Sequence, residues 1–274
     1  VEPRRPGRRA VKRARVAVAA ALTVVLAGSV PAVGSAAPDA VVGGGAAVGA
    51  APLSGPLSTI ADARLITLRT RDSNERPRTI DASLFVPKTR WAGPGKRPLI
   101  GMAVGTYGQG DRFAPSVGFR NPVSVDGGGM QLAYENTSAA QLLARGYAVV
   151  VPDYIGLGRP GMHTYLNRTD QGRSVIDAVR AAREVGGLTG PVAFWGYSQG
   201  GYSAAAAAEL VPDYAPELPV RAVYAGAPPR DLSETMWYSA RSVMWAISGW
   251  TVNGAIASQP QIRDDVLAVL NDEG

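Results

Sequence analysis

The stretch that most constrains this chain is Gly196-Tyr197-Ser198-Gln199-Gly200. It follows a short apolar run of strand type, Val192 to Trp195, and precedes a run of small, helix-forming residues, Gly201 to Val211. A turn this short between strand and helix leaves no space for side chains at the flanking positions. It lifts the central serine above the sheet edge on a strained backbone. The spacing therefore predicts an exposed hydroxyl at a helix N-terminus, where backbone N–H groups can stabilise a developing negative charge. Strand on one side and Gly/Ala helix on the other make the motif informative; Gly-x-Ser-x-Gly alone, in a chain with 33 glycines, is weak.

The rest of the chain alternates strand and helix around that turn. Arg64–Arg71 and Thr79–Val86 read as a hairpin at one edge of a sheet, joined through a polar turn. Pro98–Val104 is a continuous apolar run, expected of a strand buried on both faces. Leu132–Arg145 reads as a helix closed by Gly146, Tyr147–Pro152 as a strand and Val220–Ala227 as another strand. Arg173–Val185 carries Val175, Ile176, Val179 and Ala182 on one helical face and charges on the other. The expected fold class is α/β, a mostly parallel sheet flanked by helices.

The N-terminus carries a different signal. Seven basic residues between Arg4 and Arg15 precede an apolar run, Val16–Ala27, and small residues follow to Ala37. That is the layout of a secretory signal peptide over residues 1–36; paired arginines leave a twin-arginine route open beside the general one. The apolar run is too short, and too interrupted by Gly28, Ser29 and Pro31, to span a bilayer. Removing this segment takes away seven of the 28 basic residues and one of the 22 acidic ones, leaving 21 of each. The basic balance thus belongs to the export segment, and nucleic-acid binding loses its support. With no cysteine, a secreted form relies on its core. Residues 37–56 are Gly/Ala-rich and read as a flexible leader, with order beginning near Leu57.

The loop Gly105-Thr106-Tyr107-Gly108-Gln109-Gly110-Asp111 follows an early strand and is rich enough in glycine for its backbone to approach a ligand. It lacks the Gly-Lys-Ser/Thr ending of a phosphate loop. Upstream of such a serine turn, it is the expected source of a second oxyanion N–H, with Tyr107 the candidate within Thr106–Gly108. Beyond Pro228, Met236, Trp237, Val243, Met244, Ile247 and Trp250 fall near helical spacing. Such a stripe reads either as core or as the wall of a lid over an acyl pocket.

With these residues in place, the chain resembles the secretory lipase family of the α/β-hydrolase superfamily, the Candida-type lipases and their bacterial relatives. Four stretches carry the resemblance: the 105–111 loop leading to Ala114-Pro115-Ser116, Asp153-Tyr154-Ile155-Gly156-Leu157-Gly158, Gly172 to Ala181, and Gly196 to Gly201. It covers about Leu57 to Leu232. It implies an α/β-hydrolase fold over 57–232, the start of a helical cap over 233–274, a Ser-Asp-His triad with Ser198 as nucleophile, and neither metal nor other cofactor. Many relatives place a cysteine just before Ala-Pro-Ser, where this chain has Phe113.

The family order is Ser, then Asp, then His, and here the only histidine, His163, precedes Ser198 by 35 residues. Its position matches a family loop and not the triad base, and Asp231 is a weak candidate for the acid. The sequence accordingly reads as a fragment without the last strands. The function expected is a secreted, extracellular lipase or esterase that cleaves carboxylic esters through a Ser198 acyl-enzyme, with Gln199 N–H and a Tyr107-region N–H holding the oxyanion. Its expected partners are a lipid or small ester substrate and, transiently, a lipid interface. An exported peptidase or acyltransferase on the same fold, and a non-catalytic hydrolase-like binding protein, are the alternatives.

Overall fold

The computed structural model describes residues 44–126 and 129–268. The proposed signal peptide and residues 37–43 of the leader lie outside the described residues. The described residues fall into two compact units, one up to Pro229 and the other from Arg230 onward.

The larger unit is built on a seven-stranded sheet. Its strands are β1 (Ala47–Pro52), β2 (Ala61–Arg71), β3 (Pro77–Pro87), β4 (Leu99–Ala103), β7 (Ala148–Pro152), β8 (Val192–Tyr197) and β9 (Val220–Gly226), in the order β1-β2-β3-β7-β4-β8-β9. β1, β2, β3 and β7 pair antiparallel. β7, β4, β8 and β9 run parallel, with Leu99 opposite both Ala148 and Val192. A separate hairpin pairs β5 (Val123–Asp126) with β6 (Gly129–Leu132). The helices are α1 (Pro115–Arg120), α2 (Glu135–Ala144), α3 (Arg168–Gly186) and α4 (Gln199–Tyr214).

The parallel strands are buried on both faces, so they read as unbroken apolar runs. β7 shows the division. Val150 joins one core with Leu84, Val175, Val179 and Phe194, whereas Val149 and Val151 join the other with Phe85, Met102, Phe119 and Leu143. α3 and α4 therefore cover one face, and α1 and α2 the other.

Three differences from the sequence reading have local causes. Ala47–Pro52, expected to be part of a flexible leader, is strand β1 at the sheet edge. Its side chains are mostly exposed and it is held by backbone pairing, which leaves no hydrophobic alternation to read. It also displaces the β2–β3 hairpin from the edge position. α3 begins at Arg168 rather than Arg173, because Asn167 caps it by accepting from the Asp170 N–H at 2.9 Å. Its first turns bury Asp170 and Gln171, polar residues that mask the apolar period. α2 starts at Glu135, since Leu132 is consumed by β6.

The smaller unit contains α5 (Leu232–Ser239), α6 (Trp245–Ser258) and the short α7 (Arg263–Leu267). Met236, Val252 and Val266 form its small core. The aromatic stripe is therefore not one buried face: Met236 is inside, while Val243, Met244 and Trp237 are exposed. The Arg241 guanidinium lies over the Trp237 ring at 3.3 Å. Among the described residues, no helix is long and apolar enough to cross a membrane.

Candidate active site

β8 ends at Tyr197 and α4 begins at Gln199, so Ser198 alone makes the turn. Its backbone sits at φ 57°, ψ −122°, a conformation that costs a non-glycine residue about 1–3 kcal/mol. Two backbone bonds maintain it. The Ser198 N–H donates to Gly226 O at 2.9 Å, and Ser198 O accepts from Tyr202 N–H at 3.0 Å. The half-buried hydroxyl caps no N–H of the helix, which leaves it available to a ligand.

The flanking glycines are required by close backbone approach. A Cβ on Gly196 would lie 2.0 Å from Gly200 O, one on Gly200 2.1 Å from Ala103 O, and one on Gly201 2.3 Å from Gly226 O. Each obstacle is main chain and cannot swing aside. Gly200→Ala is thus expected to destabilise the larger unit by about 2 kcal/mol, the scale of overpacking, as a lowered midpoint in urea denaturation. An unchanged midpoint would show that α4 does not seat this tightly on β4.

The same close packing brings the end of β4 to the turn. Ala103 is in register with Gly196, and the chain continues from there into the 105–111 loop. A Cβ on Gly105 would lie 3.4 Å from Tyr197 O, 2.3 Å from the Tyr134 hydroxyl and 3.1 Å from Glu135 Oε1. Tyr107, two residues on, donates its hydroxyl to Glu135 Oε2 at 2.5 Å, and Gly105 N–H donates to Glu135 Oε1 at 2.7 Å. Burial, reinforced by the Glu135 charge, raises the pKa of the Tyr107 hydroxyl, so it stays protonated as a donor. Thr106 Oγ1 and the Tyr165 hydroxyl are 2.7 Å apart and tie down the next residue of the loop. Glu135 and Tyr134 escaped the sequence reading because they sit at the start of an ordinary helical pattern. Only a carboxylate at a first helical position, just after a tyrosine, could have hinted at them.

Gln199 is buried, and its carboxamide is held by His163. Gln199 Nε2 lies 3.1 Å from His163 Nε2, and His163 Nδ1 lies 3.0 Å from Ile155 O. A carbonyl can only accept, which assigns the proton to Nδ1 and leaves Nε2 to accept from Gln199. The ring is fully buried, stacked against Tyr154 and met edge-on by Tyr165. Burial depresses its pKa to about 4, against a smaller opposing effect of the Ile155 carbonyl. Both nitrogens of the only histidine are thus committed, Nε2 to the residue after Ser198 and Nδ1 to the Ile155 carbonyl.

Asp231, the one candidate for the acid, and Asp153, at the end of β7, both have structural partners. Asp231 caps α5, accepting from Glu234 N–H at 2.9 Å. Asp153, buried at the end of β7, accepts from Ser116 N–H at 2.7 Å and Ser116 Oγ at 2.6 Å, which fixes the start of α1. Burial pushes its carboxyl up to about 7, partly offset by those two bonds. Among the described residues, no group of three or more His, Cys, Asp or Glu could hold a metal ion.

The sheet is mixed, antiparallel from β1 to β7 and parallel from β7 to β9, where the sequence pattern predicts a mostly parallel one; with helices on both faces and a serine at a strained strand-to-helix turn, it defines the α/β-hydrolase class. The solved structure of Candida antarctica lipase A in its closed state has this fold, matching 84% of this chain and 53% of that one with a TM-score of 0.70 at 19% identity. The secretory lipase family profile matches residues 120–274, and the chain belongs to that family. The "Probable trichothecene esterase SAT6" of Stachybotrys chartarum is 30% identical over 72% of this chain and 41% of its own length. The "Probable inactive lipase MT1628" of Mycobacterium tuberculosis is 30% identical over 75% of this chain and 46% of its own length. The chain thus spans less than half the length of these two relatives.

Proposed function

We propose that the protein is a secreted carboxylic-ester hydrolase, a lipase or esterase, in which Ser198 forms the acyl-enzyme. The observation that carries this reading is the strained Ser198 backbone between close-packed glycines, with its hydroxyl unspent on the helix. Ser198 Oγ attacks the ester carbonyl and the alcohol leaves; water then releases the acid from the acyl-serine. The Gln199 N–H, one of the first N–H groups of α4 and so without an intrahelical partner, and the Tyr107 N–H hold the tetrahedral oxyanion. A serine hydroxyl needs a base within hydrogen-bond reach, and His163 is committed elsewhere. His163 is therefore not assigned as the base.

In this reading residues 1–36 direct export, the larger unit carries the chemistry, and residues 233–274 are the start of a cap region. The exposed Val243, Met244 and Trp245 support transient contact with a lipid interface. Triacylglycerols or similar esters are the proposed substrates, in line with the lipases and esterase among the relatives.

Two observations favour a second reading, a hydrolase-like binding protein without activity: the only histidine serves the fold, and one relative is named an inactive lipase. A fluorophosphonate probe separates the two. The intact gene product is expected to take up one equivalent on Ser198, located by peptide mass mapping, and to prefer p-nitrophenyl esters over peptide substrates. Absence of labelling would favour the binder, and faster turnover of peptides would favour a peptidase.

A further inference from the structure

Glu135 is nearly inaccessible, yet it is a carboxylate, and it takes part in none of the ion pairs among the described residues. Its charge is met instead by donors from one direction. Gly105 N–H reaches Oε1 and the Tyr107 hydroxyl reaches Oε2, while the Tyr134 hydroxyl lies against the same group. Taking a carboxylate out of water costs several kcal/mol, and an apolar residue would fill the same space without that cost. What the carboxylate adds is geometric. It fixes a main-chain N–H and a side chain two residues apart in the loop whose Gly105 approaches Tyr197 O, close enough that a Cβ there would lie 3.4 Å from it. The nearby Thr106–Tyr165 pair holds the intervening residue, so the loop is pinned at three successive positions.

We propose that Glu135 is a positioning residue: its carboxylate holds residues 105–107 against the serine turn, so that the Tyr107 backbone N–H meets the oxyanion formed on Ser198. This rests on the ester-hydrolase reading. Donors aimed at a developing charge act only when held in place before the reaction. Glu135 touches no substrate; its effect passes through the loop. A carboxylate is specifically required because both of its oxygens accept, whereas a carboxamide turns one donor toward the Tyr107 hydroxyl.

The test is steady-state hydrolysis of p-nitrophenyl butyrate by the intact gene product and its Ser198→Ala, Glu135→Gln and Tyr107→Phe variants. Loss of a whole oxyanion donor costs about 10²–10³ in kcat. A misplaced donor costs part of that. Glu135→Gln is expected to lower kcat at least about tenfold with KM within about twofold. Tyr107→Phe, which removes one of the two anchors and keeps the ring, should show the same pattern at smaller size. Wild-type kcat in Glu135→Gln, whatever its melting temperature, overturns the proposal while leaving the Ser198 reading intact if Ser198→Ala is inactive. Equal activity of Ser198→Ala and wild type overturns both. Should Glu135→Gln fail to fold, Tyr107→Phe decides: lowered kcat at constant KM supports the proposal, and unchanged kcat defeats it.

Discussion

Replacing Ser198 by alanine in the intact gene product is expected to lower kcat for ester hydrolysis by about 10⁴- to 10⁶-fold, the loss seen when a member of a cooperating nucleophile unit is removed. KM should change little, because in the proposed mechanism Oγ acts in the transition state and not in ground-state binding. The fold should survive. The hydroxyl caps no helix N–H, and the bonds that hold the turn, Ser198 N–H to Gly226 O and Tyr202 N–H to Ser198 O, are main chain. The strained φ of 57° is as accessible to alanine as to serine, so urea midpoints should agree closely. Activity in the purified variant within tenfold of wild type would remove Ser198 from the mechanism.

A second large effect concerns His163 and acid. Its pKa in the fold is depressed from 6.5 to about 4, so below pH 6.5 the unfolded chain binds a proton that the folded chain refuses. Stability from the neutral buried ring is complete above pH 6.5 and is lost as pH falls toward 4. The shift corresponds to about 3 kcal/mol over that window, by the equivalence of 1.36 kcal/mol per pKa unit. Asp153 works in the opposite sense, because its raised pKa makes protonation favour the fold as pH drops below 7. The comparison is therefore made within a pair. Urea unfolding of wild type and His163→Gln at pH 7 and pH 4 should show wild type losing about 3 kcal/mol more than the variant, since the Asp153 contribution is common to both. Equal pH dependence in the two would show that the ring titrates normally and is not buried as described.

The sequence disclosed the parts whose burial is two-sided or whose backbone is extreme. Val149–Val151 and Leu99–Ala103 had to be apolar throughout because each alternate side chain meets a covered face. Gly196 and Gly200 had to be glycine because carbonyl oxygens occupy the space of a Cβ. The same logic explains what was hidden. β1 is held by backbone hydrogen bonds that any residue offers, so its sequence carries no period. Glu135 acts through a tertiary approach of α2 to the 105–107 loop, a relation between residues 30 apart that no local pattern encodes. His163 was legible as misplaced for a base, but its bond to Gln199 became visible only when the loop after β7 was folded beneath the serine turn.

The close approach of glycine α-carbons to carbonyl oxygens at the turn has a consequence for how such a protein can diverge. Ala103 O, Gly200 O and Gly226 O belong to the main chain, so the place of Ser198 is set by atoms that every amino acid possesses. Side chains in the surrounding layers can be exchanged freely, provided the strands keep their spacing, without moving the hydroxyl. A framework of this kind separates two inheritances: the place of the serine hydroxyl is transmitted by three glycines, and its surroundings are left to loops that can drift. A fold shared with Candida antarctica lipase A at 19% identity is what such a division of labour permits.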